Sequence, residues 1–219
     1  MIQTPIPQPN PDKALSILTF EEFLSWDDGT AKLFELDDGV PVPIKDPTAN
    51  HENVIDSLWK WLDNHCLSQE LPYVPKRGKQ IKLKTEPDQR EKSRRADIVI
   101  FAEAEWKRLE NSPSPAAAYT APPMVIEVTS SNYSVDYMAK LGEYEALAIQ
   151  EYWIVDYKAF GPTRYLGSPK QPTIFVFQFD ATEKAYREPT QFRDGQQIES
   201  DMLGKLELTA NQIFQFASR

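Results

Sequence analysis

Two acidic residues lie inside segments that are otherwise typical of buried β-strands. Asp97 follows Ala96 at the start of A-D-I-V-I-F, and Glu127 lies in the middle of M-V-I-E-V-T. A carboxylate in such a strand costs free energy unless a cation or hydrogen bonds compensate it. Two carboxylates on neighbouring strands suit one hard divalent ion, whose bound water becomes a nucleophile toward a phosphate. The pattern therefore predicts a Mg²⁺ site, with Mn²⁺ as an alternative ion.

A cation follows these acids on the next segment. Asp136, Lys140 and Tyr144 are spaced by four residues, so on a helix they lie along one stripe. If this stripe faces Glu127, Lys140 can orient the attacking water or stabilise the pentavalent phosphate. The simpler interpretation, an ion pair between Asp136 and Lys140 on a solvated face, stays open.

Structural roles also stay open for several of these residues. Asp97 can cap the start of its strand or pair with Arg94 or Arg95 on the surface. The pattern favours Tyr144 as a partly buried helix residue over a hydrogen-bonding role in the site, and Asp156, which ends the segment Y-W-I-V-D, as a turn residue.

The composition limits the class of protein. The chain has 219 residues, of which 41% are hydrophobic and 26% charged, which favours one domain with a real core. The lone cysteine excludes a disulfide framework, and the start H-E-x-x of a zinc-protease motif ends at Ile55. No apolar run reaches membrane-spanning length and the N-terminus lacks a signal-peptide pattern, so we expect a soluble cytoplasmic protein.

The sequence pattern predicts the elements that hold these residues. A proline-rich arm over residues 1–17 precedes one domain over residues 18–219. Within the domain we expect a helix capped by Thr19 and Glu22, a hairpin over 32–44, a helix over 51–67, and a half-exposed strand at 81–83. Buried strands at 96–101, 124–129 and 152–155, a helix over 135–149 capped by Ser134, weaker strands near 163–167, 173–179 and 184–188, and a last helix capped by Thr209 complete it. This order favours a mixed α/β (α+β) fold.

The charge is distributed unevenly along the chain. The net charge is −9, but residues 76–95 hold nine Lys or Arg against three Asp or Glu. A basic segment on an acidic body can guide an anionic ligand to one place, although an ordinary solvated strand and loop explains the pattern equally well.

Several short motifs together resemble the Uma-type family of restriction-endonuclease-like proteins. They are F-E-L-D-D-G at 34–39, a His at 51, A-D-I-V-I at 96–100, V-I-E-V-T-S at 125–130, D-x-x-x-K-x-x-x-Y at 136–144 and E-Y-W-I-V-D at 151–156. The resemblance covers roughly residues 18–217. It places the chain in the PD-(D/E)xK nuclease superfamily and implies a restriction-endonuclease-like mixed sheet flanked by helices, with a Mg²⁺-dependent phosphodiesterase site.

The resemblance also implies roles for particular residues. Asp97 matches the motif aspartate and Glu127 the (D/E) position, so both are expected to bind metal and to act in catalysis. Lys140 matches a lysine relocated to the following helix, because Thr129 occupies the usual lysine position. Glu35 matches a further acidic residue of the metal and catalytic site.

Three functions follow from these residues. The first is a metal-dependent endonuclease acting on DNA, in which a homodimer would place two sites on two strands. The second is a catalytically inactive nucleic-acid-binding or regulatory module of the same fold. The third is an enzyme acting on another phosphorylated ligand, since a fold does not fix its substrate. The direction of Lys140 discriminates the first from the second.

Overall fold

The structure is a computed structural model that describes residues 17–86, 89–130 and 134–218. The expected proline-rich arm therefore lies outside the described residues, except for Ile17. None of the described helices is long and apolar enough to cross a membrane.

The elements alternate between helices and strands along the chain. In chain order they are α1 (Phe20–Leu24), β1 (Phe34–Asp37), β2 (Val40–Pro43), α2 (Ala49–Ser68), β3 (Tyr73–Lys82), β4 (Ser93–Ala102), α3 (Glu103–Glu110), β5 (Met124–Val128), a π-helical turn (Val135–Lys140), α4 (Leu141–Ala146), β6 (Glu151–Asp156), α5 (Thr163–Leu166), β7 (Thr173–Asp180), β8 (Ala185–Tyr186), β9 (Thr190–Phe192), β10 (Gln197–Ser200), β11 (Gly204–Thr209), α6 (Ala210–Gln215) and a 3₁₀ turn (Phe216–Ser218).

A mixed sheet forms the centre of the described chain. Its strands lie in the order β3-β4-β5-β6-β7-β8, and β9 also pairs with β7. Only β5 and β6 run parallel, which agrees with the π-helical turn and α4 that connect them. The expected mixed α/β fold is therefore confirmed.

Side chains alternate between the two faces of this sheet. Ile98, Ile126 and Trp153 point to one face, where they pack with α2 and the C-terminal helix in a large apolar core. Val99, Val125 and Tyr152 point to the other face and pack with α4 and the segments around it. Glu127 follows Val125 by two residues, so it belongs to the second face, opposite α4.

A smaller unit packs at the β3–β4 edge of the sheet. Helix α1 begins with the expected capping box of Thr19 and Glu22, and β1 and β2 form the expected hairpin. Phe20, Phe23 and Leu36 are its core. The amide of Leu36 donates to the hydroxyl of Ser93 at 3.2 Å, which fixes β1 against β4.

Several expected elements are wrong in detail. Ser134 makes no capping hydrogen bond, and the segment that it precedes is a π-helical turn followed by a short α-helix that ends at Ala146. Residues 163–166 form a helical turn, not a strand, after Pro162. Ile81 is fully buried, because residues of the 111–123 loop pair with the edge strand at Ala118. Helix α3 and strands β9 to β11 were not expected.

Candidate active site

Asp97 and Glu127 meet where strands β4 and β5 stop pairing through their backbones. The antiparallel ladder ends at the pair Ile98–Ile126; Asp97 precedes Ile98 and Glu127 follows Ile126, so both acids lie just beyond the same end of the ladder. Beyond it the amide of Val128 donates to Asp97 Oδ2 at 2.8 Å, and the amide of Asp97 points to Glu127 Oε2 at 3.4 Å. The two carboxylates thus replace the missing ladder hydrogen bonds. No ion pair joins Asp97 to Arg94 or Arg95 within the described residues, so the surface-pair interpretation is not supported.

Lys140 is buried among acids at the end of the π-helical turn. Its Nζ lies 3.0 Å from Glu127 Oε1 and 3.7 Å from Asp136 Oδ1, and only 9% of its side chain is exposed. The expected pair between Asp136 and Lys140 therefore exists, but it lies inside the site and not on a solvated face. A π-helical turn widens the helix locally, and such turns are frequent at functional sites.

Tyr144 continues the stripe and holds Glu127 from the other side. Its hydroxyl donates to Glu127 Oε1 at 2.8 Å, and the residue is fully buried. Burial, followed by the negative charge of Glu127, keeps the pKa of this phenol well above its usual range. Tyr144 is therefore a permanent hydrogen-bond donor to Glu127, which goes beyond its expected structural role.

The acids of this cluster outnumber the charges that neutralise them. Burial raises the pKa of Glu127 to about 8 even though Lys140 opposes the shift, and burial likewise raises the pKa of Asp136 to about 6. Burial disfavours the ammonium of Lys140, but Glu127 and Asp136 overcome it and raise its pKa. A further cation beside Glu127 and Asp136 would therefore stabilise their charged forms.

His51 reaches the same point from helix α2. Its Nε2 lies 2.7 Å from the carbonyl oxygen of Val128 and 3.5 Å from Asp97 Oδ2. Burial lowers the pKa of this imidazole, but its contact with Asp97 outweighs burial and raises the value to about 9. In turn His51 and the amide of Val128 lower the pKa of Asp97 against the effect of burial. Asp97 is thus held as a carboxylate in a fixed orientation.

Glu35 lies on β1 at the edge of the cluster and faces arginine. Its Oε1 accepts from the amide of Arg95 at 2.9 Å, and its Oε2 lies 3.2 Å from Arg94, which also pairs with Glu143. The structure therefore does not place Glu35 in direct contact with Asp97 or Glu127. Its part in metal binding stays a prediction.

Asp156 is buried and anchors the backbone behind the cluster, contrary to the expected turn role. Its Oδ1 accepts from the hydroxyl of Thr129 at 3.0 Å and the amide of Phe160 at 2.8 Å. Its Oδ2 accepts from the hydroxyl of Tyr137 at 2.9 Å and the amide of Gly161 at 2.8 Å. One side chain therefore ties the end of β5 and the π-helical turn to the loop after β6.

These residues open onto a cleft of about 740 Å³. Asp97, Glu127, Asp136 and Lys140 line its inner end, and the wall includes the β2–α2 connection and the loop after β6. A volume of this size is in the range of small-ligand sites.

The basic segment, residues 76–95, contributes less unpaired positive charge to the cleft than its composition indicates. Arg77 and Arg95 line the cleft. Three other cations of the segment form local ion pairs: Lys82 with Glu21 and Glu91, Lys92 with Asp37 and Asp38, and Arg94 with Glu35 and Glu143. Arg77 itself contacts Glu52 and Asp56.

The donor set fits a hard divalent cation. Asp97 and Glu127 supply carboxylate oxygens to the same cleft, and the raised pKa values of Glu127 and Asp136 indicate that a further cation would stabilise the cluster. Within residues 17–86, 89–130 and 134–218 no three His, Cys, Asp or Glu side chains converge at metal-binding separations. Two protein carboxylates with remaining positions for water and substrate are the arrangement that Mg²⁺ usually takes.

The fold and the family match define this chain as a restriction-endonuclease-like protein. A solved structure titled a "putative nuclease belonging to DUF820" from Anabaena variabilis ATCC 29413 superposes with a TM-score of 0.66 at 18% identity, covering 91% of this chain and 99% of that chain. A family model, Uma2, described as "Putative restriction endonuclease", matches residues 20–211. The chain therefore belongs to the Uma2 family. No curated protein matches it in sequence.

The sequence does not settle the part of three residues that the structure brings to this site. On sequence alone Asp136 is one partner of a surface pair, His51 either lies near the site or starts its helix, and Asp156 is a turn residue. Asp156 carries a signal that was available, since an acid that closes the apolar strand Y-W-I-V is as costly to bury as Asp97. The contact of His51 joins residues from α2 and β4, and nothing local in the sequence indicates it.

Proposed function

We propose that this protein is a metal-dependent endonuclease that hydrolyses phosphodiester bonds in DNA. The observation that carries the proposal is the position of Lys140 Nζ, 3.0 Å from Glu127 Oε1, on the cleft that also exposes Asp97. An inactive module of the same fold has no need to bury a lysine between two acids. The family and the fold support the nuclease class.

Each residue has a defined part in this proposal. Asp97 and Glu127 would hold Mg²⁺ or Mn²⁺, which when bound supplies an activated water and offsets charge on the phosphate. Lys140 stays protonated because Glu127 and Asp136 stabilise its charge, so it acts by orienting water and stabilising negative charge, not as a base. Tyr144 and His51 fix the orientations of Glu127 and Asp97 through their contacts.

Glu35 supports the site through charge and position. By holding Arg94 and the amide of Arg95, it fixes the start of β4 immediately before Asp97. Because its two oxygens already accept from Arg94 and from the amide of Arg95, we further propose that Glu35 contributes to metal binding indirectly. A homodimer would align two such sites on a duplex.

The proposal is tested by cleavage of supercoiled plasmid DNA in Mg²⁺ or Mn²⁺, with single-stranded DNA and RNA in parallel. We expect metal-dependent nicking by the wild-type protein and a loss of more than about a hundredfold in Asp97→Asn, Glu127→Gln and Lys140→Met. Glu199→Gln, a change on the exposed edge of β10, is the control and should cleave normally. Equal cleavage by all variants would point to a contaminating nuclease. If the wild-type protein cleaves none of the three nucleic acids, the nuclease function is rejected.

A further inference from the structure

A second cavity of about 370 Å³ lies beside the catalytic cleft, between the α1–hairpin unit and the start of β4. The two cavities share Leu33, Gly78 and Arg95 in their walls. Arg95 therefore stands between them, two residues before Asp97 in strand β4. A nucleic-acid strand that extends from the catalytic cleft toward the second cavity would pass over the guanidinium of Arg95.

The guanidinium of Arg95 is partly buried and forms no ion pair with any residue that the structure describes. Within the described residues neither an ion pair nor a hydrogen bond from its side chain is present, in contrast to Arg77 and Arg94 on either side of it. A desolvated arginine without a carboxylate is stabilised by an anion with paired oxygens, such as a phosphate.

Gly78 makes the space in which this guanidinium lies. Its φ is +58°, which favours glycine, and a Cβ there would lie 2.6 Å from Arg95 Nη2. Gly78 also falls where the β3–β4 ladder passes from the pair Arg77–Ile98 to the pair Lys79–Ala96, opposite Asp97. Glycine therefore replaces an ordinary strand residue at the position where the side chain of Arg95 crosses β3.

The second cavity has the lining and the size of a nucleotide site. Trp26 and Phe34 lie in its wall, with ring centroids 5.0 Å apart. Lys32, Lys79 and Arg95 contribute three cations to the same lining against Asp27 and Asp28. A volume of about 370 Å³ is near the lower limit for small-ligand sites, so it suits one unpaired nucleotide and not a duplex.

We propose that this cavity binds the nucleotide adjoining the scissile phosphate in an unpaired state, with its phosphate on Arg95 and its base against Trp26. The proposal rests on the proposed nuclease function for the identity of the neighbouring site. It adds a subsite and a substrate class, single-stranded or locally unpaired nucleic acid, to that function.

Binding of a short fluorescent single-stranded oligonucleotide tests the subsite. The fluorescence anisotropy of the oligonucleotide is measured in the presence of Ca²⁺, a hard cation that binds the same oxygen ligands as Mg²⁺. We expect Arg95→Ala to weaken binding about tenfold, as for one charge-assisted contact, and Arg95→Lys to weaken it less. The slope of log affinity against log salt should fall by about 0.7 in Arg95→Ala, the value for one phosphate contact on a single strand.

Two glycine variants separate displacement of Arg95 from backbone strain. Gly78→Ala places a methyl group against Arg95 and should weaken oligonucleotide binding. Gly204→Ala has the same kind of strain at φ +75°, but nothing lies within 4 Å of its new Cβ, so its binding should be unchanged. Trp26→Leu should weaken binding without changing the salt slope, because it removes a base contact and not a phosphate contact.

The outcomes separate this proposal from the nuclease function. Oligonucleotide affinity that is unchanged in both Arg95→Ala and Gly78→Ala overturns the subsite, even where the wild-type protein cleaves DNA. Arg95-dependent binding together with an absence of cleavage in every metal supports the subsite and rejects the nuclease function. Equal weakening in Gly78→Ala and Gly204→Ala would assign the effect to strain and overturn the role of Arg95.

Discussion

At the residue scale, the site is defined by carboxylates that replace backbone hydrogen bonds. Asp97 and Glu127 lie one residue beyond the last paired residues of β4 and β5, and each accepts or approaches an amide of the opposite strand. Strand separation thus creates both the opening and the carboxylate oxygens that we propose as metal ligands. Lys140 and Tyr144 then fill the space around Glu127 from the neighbouring helix.

Lys140→Met tests the division between metal binding and catalysis. The change leaves Glu127 and Asp136 buried without their cation, so we expect the free energy of unfolding to fall by about 3–5 kcal/mol, measured by urea denaturation. Mn²⁺ binding, measured by calorimetry, should persist because both carboxylates remain, while cleavage is lost. Lost Mn²⁺ binding in a folded Lys140→Met protein would contradict the assigned roles.

At the element scale, the π-helical turn is what brings Lys140 to the site, and Asp156 fixes that turn. The hydroxyl of Tyr137, within the turn, donates to Asp156, and so do the hydroxyl of Thr129 after β5 and two amides of the following loop. The relative positions of Glu127 and Lys140 therefore depend on a residue that touches neither.

Asp156→Asn should disturb this arrangement. The amide group offers one oxygen where two carboxylate oxygens accept four hydrogen bonds, and its nitrogen faces donors. We expect a loss of about 2–4 kcal/mol in stability, measured by urea denaturation. Asp201→Asn, on an exposed turn, is the control and should change stability by less than about 0.5 kcal/mol. A variant as stable as the control would show that Asp156 does not tie these elements together.

The sequence predicted the elements whose signals are local. The Thr19 and Thr209 capping boxes, the Asp37–Asp38–Gly39 hairpin and the apolar strands around Asp97 and Glu127 each depend on a few neighbouring residues. The π-helical turn was missed because its widened geometry depends on burying Asp136, Tyr137 and Lys140 against the sheet, which no local pattern records. For the same reason the periodicity placed Lys140 on the correct stripe but not in contact with Glu127.

At the scale of the whole molecule, the sheet divides an apolar core from the face that holds the site. The larger core, under α2 and the C-terminal helix, contains no member of the carboxylate cluster, and His51 reaches the cluster from the end of α2. Apolar packing on both faces of the sheet therefore offsets the costly burial of the acids.

The rate at which a thiol reagent labels Cys66 measures how readily the larger core opens. It is 2% exposed on α2, and burial raises the pKa of its thiol to about 11, so at pH 8 it is protonated and shielded. We expect a thiol reagent to label it only as fast as the protein unfolds globally, with rapid labelling in urea. Fast labelling of the native protein at pH 8 would show that α2 opens independently of the sheet.

Calorimetric titration with Mn²⁺ tests the central claim, that Asp97 and Glu127 form a metal site, without knowledge of any target sequence. Mn²⁺ generally binds somewhat more tightly than Mg²⁺ to such oxygen ligands. We expect saturable binding to the wild-type protein and to the control Glu199→Ala, and its loss in Asp97→Ala and in Glu127→Ala, with folding of each variant verified by circular dichroism. Binding that survives in both folded site variants, or that is absent from the wild-type protein, would contradict the account.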